Sequence, residues 1–290
     1  MAWLVWAIIA VIVWTVINII DKFAVSKELK DAYLATTVIG FTIAPIFLIL
    51  PLTQGSIMIP WVSILFAIAA GSIYRIAGIL YYYVLQKEEV SKAMPIMGSS
   101  PIFIILIAFL FLGERLTPLK YYGIVLVLLG SFLLSLKNVR HFFSLDKMLL
   151  LAALAAFCYA LRSVFLKVAS TGNMWPVLFW TGVGVTITTT VIYAIHHPHI
   201  HKKAKEGVKH LVVSGFLSGI ALIVYLAALS SGPLSIVATI EATLPLFVFM
   251  AATLISRFHP RIIHEKLSTP ALLQKMASIL LIVAGTSLIL

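Results

Sequence analysis

Charge is what this sequence has least of: 11% of its 290 residues are Asp, Glu, Lys or Arg, where an average soluble domain carries about 25%. With 62% of the residues hydrophobic, such a chain cannot cover a soluble surface, and its natural solvent is lipid. Cysteine is almost missing too. A lone Cys158 excludes an intrachain disulfide and any cysteine cluster for zinc or an iron-sulfur centre. The sequence has no HExxH, no GxSxG and no phosphate-cradling GKS turn, so nothing in it supports hydrolysis or ATP use. No cofactor and no enzyme activity are expected. The net charge of +11 is scattered through short loops without interleaved aromatics, so the expected partner is the lipid bilayer and not nucleic acid.

What is present is a series of apolar runs that reach or approach the ~20 residues a helix needs to cross ~30 Å of hydrocarbon. Breaking the chain at charges, Pro and Gly gives ten candidate spans, roughly 2 to 21, 32 to 52, 59 to 86, 93 to 112, 118 to 136, 147 to 169, 175 to 195, 208 to 230, 233 to 256 and 270 to 290. The first run, Ala2 to Ile20, reads as a permanent helix: no basic leader precedes it, and no small-residue cleavage site follows before Asp21 and Lys22. The expected fold class is an all-α integral membrane protein of ten transmembrane helices in the cell membrane, acting as a monomer or weak homodimer.

An internal repeat emerges when residues 71 to 101 are laid on 215 to 245. Gly71, Tyr81, Leu85, Ser91 and Pro101 then fall on Gly215, Tyr225, Leu229, Ser235 and Pro245 at a constant offset of 144. Near the front, Trp14 and Lys22 match Tyr159 and Lys167 at 145, and further on Gly113-Glu114-Arg115-Leu116-Thr117 lies against His264-Glu265-Lys266-Leu267-Ser268. The expected halves are residues 1–140 and 141–290, five spans each, in one transmembrane unit. An odd number of spans per half inverts the second copy, the arrangement that many secondary transporters use to open alternately to each face. Sixteen of the 21 Lys and Arg fall in the loops after the odd-numbered spans, which by the positive-inside rule places both termini outside the cytoplasm.

The segment YYYVLQKEEVSKAMPIMGSSPIFIILIAFLFLGERLTPLKYYGIVLVLLGSFLL resembles the third-to-fifth helix signature of the EamA-type families of the drug/metabolite transporter superfamily. The shared features are an aromatic pair, small residues before a Pro and a terminal GER turn. The second half is similar but more diverged. Ser100 and Leu244 stand where the family often has Glu before the Pro, and the second GER is rewritten as HEKLS. The resemblance implies a small metabolite, often an amino acid or related compound, moved commonly outward by alternating access without ATP.

An ionisable group inside hydrocarbon costs at least ~2.5 kcal/mol on insertion scales, so each one is a candidate for function. Arg75 lies 14 residues after Trp61 and 12 before Lys87, near the midplane, and offers a planar fork for a substrate carboxylate or phosphate. Glu241 sits 8 residues inside Pro233 and is expected to take a substrate ammonium or a coupling proton. A plainer alternative pairs Arg75 with Glu241 as a static lock. Arg162 is only 5 residues from Lys167, close enough to a boundary to snorkel. Tyr82 lies two turns from Arg75 on the same face, and Trp14 with Asn18 and Tyr159 with Ser163 form matching i, i+4 pairs that would line a cavity symmetrically. Pro95, Gly98, Pro101 and Pro245 interrupt spans and mark hinge or cavity positions, the alternative being static kinks. Asp21, Lys22 and Lys167 read as interfacial anchors, and His196, His197, His199 and His201 as a solvated loop and not a metal site. Two further classes remain open. One is a translocase of a phosphorylated lipid or lipid-linked headgroup, guided by Arg75 and Arg162. The other is a membrane enzyme with a polar partner beside Glu241.

Overall fold

A backbone in lipid must satisfy its own N–H and C=O groups, and the described residues do so with helices. The computed structural model describes residues 2–27, 29, 31–87, 96–135, 147–170, 172–198, 204–258 and 269–289. In chain order the helices are α1 (Ala2–Lys27), α2 (Ala32–Leu52), α3 (Trp61–Lys87), α4 (Ser100–Phe111), α5 (Pro118–Ser135) and α6 (Lys147–Ala169). They continue with α7 (Met174–His196), α8 (Lys205–Ser231), α9 (Leu234–Glu241), α10 (Leu244–Phe258) and α11 (Thr269–Ile289). No strand occurs among the described residues. Seven stretches are long and apolar enough to cross a membrane, one of them running through α9 into α10, and three shorter apolar helices accompany them.

Local chemistry explains several ends. The carboxylate of Asp31 accepts from the backbone amides of Tyr33 and Leu34 at 2.9 and 3.2 Å, capping α2, and the Asn173 amide oxygen accepts from Trp175 N at 3.1 Å, capping α7. The last turn of α7 is closed by His197 at φ 40, and the neighbouring His196 stacks on Tyr33 at 3.7 Å. His199 and His201 lie outside the described residues.

The ninth sequence span is not one helix. It breaks after Glu241, where Thr243 N and Oγ1 both donate to Ile240 O at 3.0 and 2.6 Å, and Leu246 N donates to Thr243 O at 2.9 Å. The same bonds recur 144 residues earlier: Ser99 N and Oγ donate to Ile96 O at 3.0 and 2.6 Å, and Ile102 N to Ser99 O at 2.9 Å. Each break precedes a Pro, Pro101 or Pro245, that starts the next helix where its missing N–H costs nothing. The two breaks face each other across a small crevice lined by Gly98, Ser99, Ala242 and Pro245. Pro95 lies outside the described residues.

Helix packing follows an exchange rule. α1 lies on α8 and α3 on α6; α2 lies on α8 and α3 on α7; α1 lies on α9 and α10 while α4 lies on α6. The pairs α2 with α7, α4 with α9, and α5 with α11 complete the pattern. Small residues let the backbones approach closely: a Cβ on Gly71 would collide with Thr181 O, one on Gly184 with Ile68 O, and Gly123 and Gly285 present each other's carbonyls in the same way. Large apolar side chains such as Ile12, Val16, Leu106 and Val191 point outward, as a lipid-facing surface requires.

Candidate functional site

The interior is polar where α1, α3, α6, α8 and the end of α9 converge. On α3, Arg75 is buried at 3% exposure. Its Nη1 donates to Thr36 O on α2 at 3.1 Å, and its guanidinium lies 4.2 Å from the centre of the Tyr74 ring. About two turns inside the end of α6, Arg162 is buried at 4% exposure. Its guanidinium is ringed by Tyr74 at 5.2 Å, Tyr225 at 5.5 Å, Tyr159 at 5.7 Å and Trp14 at 5.9 Å. The two arginines therefore share the Tyr74 ring. The Nε atom of each is buried without a hydrogen-bond partner, and among the described residues neither forms an ion pair within 4.0 Å.

Tyr225 joins the cage to the acid. Its hydroxyl donates to Glu241 Oε2 at 3.0 Å and lies 3.1 Å from Ser163 Oγ, while Ser163 Oγ donates to Tyr159 O at 3.2 Å. No ion pair joins Arg75 to Glu241; the cation whose field reaches Glu241 is Arg162. The aromatic pairs recur at the sequence offset of 144 to 145, with Trp14 on Tyr225 at 5.0 Å and Tyr159 on Tyr81 at 6.5 Å. Thus Arg75, Glu241, Trp14, Tyr159 and Ser163 come together. Asn18 turns back to donate to Trp14 O at 2.8 Å, the bond that Ser163 makes to Tyr159. Tyr82 takes part in a different cluster.

That second cluster centres on Asp21, which is buried at 4% exposure and is not an interfacial anchor. The α1 helix continues six residues past the expected boundary, to Lys27, and this extra length carries Asp21 between helices. Tyr82 on α3 donates its hydroxyl to Asp21 Oδ2 at 2.9 Å, and Ser214 on α8 donates to Oδ1 at 2.6 Å. Arg162 is likewise deeper than the sequence suggested. Half-buried Lys167 turns inward instead of outward: its Nζ donates to Leu229 O and Gly232 O at 2.8 and 2.7 Å, closing the end of α8. Glu114, from the GER turn, answers on the other side of the same turn. Its carboxylate accepts from Leu234 N, Ser235 N and Ser235 Oγ at 2.7, 2.9 and 2.8 Å, capping α9.

Tyr74, Tyr225, Asp21, Ser214 and Glu114 were not among the residues expected to act, and Arg162 was expected only to snorkel or to guide a lipid headgroup. Of these only Tyr225 carried a usable signal, as the repeat partner of Tyr81. The others needed the packing.

A multi-pass bundle with buried guanidiniums and a carboxyl in its interior has the kind of intramembrane charge that marks a functional site in a membrane protein. The chain belongs to the EamA-like transporter family, whose sequence profile matches residues 1–136. It is a membrane transporter of the drug/metabolite type. An uncharacterized protein of Methanocaldococcus jannaschii is 30% identical over 118 residues, which are 40% of this chain and 84% of that protein. A solved crystal structure of a protein superposes with a TM-score of 0.74, covering 99% of this chain and 96% of that one at 16% identity, a likeness of fold.

Proposed function

We propose that this transporter has ten spans in two inverted halves, residues 1–140 and 141–290, and carries a small polar metabolite with an anionic group outward across the cell membrane by alternating access. An amino acid or a related compound is the cargo class. The observation that carries the proposal is the pair of buried arginines around Tyr74, each with an unpartnered Nε. A buried guanidinium keeps its charge, and without an acidic partner it is stabilised by an incoming carboxylate. Glu241 and the faces of Trp14, Tyr159 and Tyr225 suit the ammonium end of the same molecule.

Support for the halves comes from three sources: the exchange rule in helix packing, the duplicated hydrogen bonds at the two breaks, and the seven long plus three shorter apolar stretches. The breaks at Gly98, Pro101 and Pro245 lie where rocking halves would need a flexible joint.

The test is uptake and efflux of the twenty radiolabelled L-amino acids by purified protein in liposomes. Transport of one or more, lost in Arg75→Ala and reduced in Glu241→Gln, is the expected result. Unchanged transport in both variants would remove the site assignment. Movement of a fluorescent phospholipid between leaflets, with no amino acid carried, would favour a lipid-headgroup translocase instead.

A further inference from the structure

The repeat supplies a control for every residue in it, since each position can be compared with its partner in the other half. Asp21 corresponds to Leu166 at the offset of 145 that matches Trp14 with Tyr159, and Tyr82 and Ser214 correspond to Leu226 and Ala70 at the offset of 144. The partners lie on the equivalent helices, with α6 packed against both α3 and α8, and are buried at 0, 1 and 0% exposure. One junction is therefore carboxyl, phenol and hydroxyl, and its counterpart is wholly apolar. Packing alone needs no polar group at this place, as the second copy demonstrates. Lys22 has its counterpart in Lys167, so the basic residue is common to both halves and the acid is not.

The acid is also poorly compensated as a charge. Its two described partners are neutral hydroxyls. The titratable groups facing it are Tyr81 and Tyr82 on α3 and Tyr159 on α6. On α8 the exposed His210 lies one turn before Ser214. From α9, also packed on α1, the acid is Glu241, engaged with Tyr225. Among the described residues, a carboxylate sealed by such groups has lost its water without gaining a cation. A proton resolves this, and the site tolerates both forms. A hydroxyl can donate to the carboxylate or accept from the carboxylic acid, so one rotation of Ser214 or Tyr82 restores the hydrogen bonding after a proton from water adds to Asp21. Asp21 and Tyr82 belong to the first half and Ser214 to the second, so parting α1 from α8 would open the carboxyl to water.

We propose that Asp21 is a proton-binding site of this transporter, holding its proton when α1 closes on α8 and releasing it when they part. The inference rests on the transport function proposed above but is tested apart from it. Infrared difference spectra of the lipid-reconstituted protein between acid and alkaline pH should contain a carboxylic-acid C=O band that shifts in heavy water. The band should disappear in Asp21→Asn and remain in Glu241→Gln. A spectrum unchanged by Asp21→Asn would overturn the proposal, and so would a band abolished by sodium chloride in place of choline chloride, which would make the site one for a metal cation. The variant Asp21→Leu with Tyr82→Leu and Ser214→Ala copies the apolar junction of the other half. It should keep the wild-type melting temperature while lacking the band, separating proton binding from folding. For any amino acid that passes the liposome screen, a pH gradient should drive accumulation in wild type, and Asp21→Asn should only equilibrate it. Accumulation by Asp21→Asn equal to wild type would refute the role of the proton in transport. A failed screen with a positive infrared result would discard the cargo and keep the site.

Discussion

Arg162 shows how a single residue can be misplaced by its neighbour. Counted from Lys167 it lies near the edge of the hydrocarbon, yet Lys167 is spent on the carbonyls of Leu229 and Gly232, and Arg162 ends up ringed by four aromatic side chains. Replacing it by Ala should lower transport about tenfold or more, the scale of a hydrogen bond to a charged group. Arg162→Lys, which keeps the charge but not the planar fork, should recover only part of it and raise KM more than it lowers kcat. Initial rates across substrate concentration decide the matter. Arg75 was legible because helix length alone fixed its depth, and Glu241 because Pro233 marked the near end of its span. Asp21 was hidden by position: beside Lys22 it looks like the edge of a span, and only the arrival of α3 and α8 makes it interior. Contacts of that kind, between residues 61 and 193 apart in sequence, leave no local periodicity to read.

Among the helices, the break between α9 and α10 separates two kinds of sequence information. The Pro residues announced the interruption, but the capping partner came from 120 residues away, where Glu114 takes the free amides of Leu234 and Ser235. Glu114→Gln cannot accept at both amides with charge, and loss of a charge-assisted bond of this kind costs about 1.5–3 kcal/mol. A lower melting temperature in detergent is the expected result, and Glu114→Asp should fall between the two because its shorter arm still carries the charge. At the crossing of α3 and α7, Gly71→Leu would force a side chain against Thr181 O. Overpacking of this order destabilises by about 1–3 kcal/mol, measurable as unfolding at lower SDS content. The same substitution at Gly113, which has no atom within 4 Å but a φ of +64, should weaken the protein through backbone strain alone. Element boundaries were mostly legible from charge and Pro. The exceptions were the ninth span, which breaks after Glu241, and α1, which continues six residues past Asp21 to Lys27.

For the molecule as a whole, the sequence suggested a repeat at offsets of 144 and 145, and the exchange rule of helix packing has the form that the proposed repeat would give. The handedness of insertion is a separate matter, set by the loops. With sixteen of the 21 basic residues after odd-numbered spans, an alkaline phosphatase fused after Leu290 should be active in the periplasm and a green fluorescent protein at the same point should stay dark. The reverse pattern would invert the orientation while leaving the bundle untouched. What the sequence could not announce was where the two halves are pressed together hardest, because a glycine in an apolar run looks the same whether it meets lipid or a carbonyl.

That pressure has a mechanical result. At Gly71 and Gly184, and again at Gly123 and Gly285, main chain meets main chain with no side chain between them, so nothing there can change rotamer to make room for sliding. In the alternating-access motion proposed above, the bundles are left with tilting about these points, which would serve as the fulcrum of a rocker whose arms are the remaining helices.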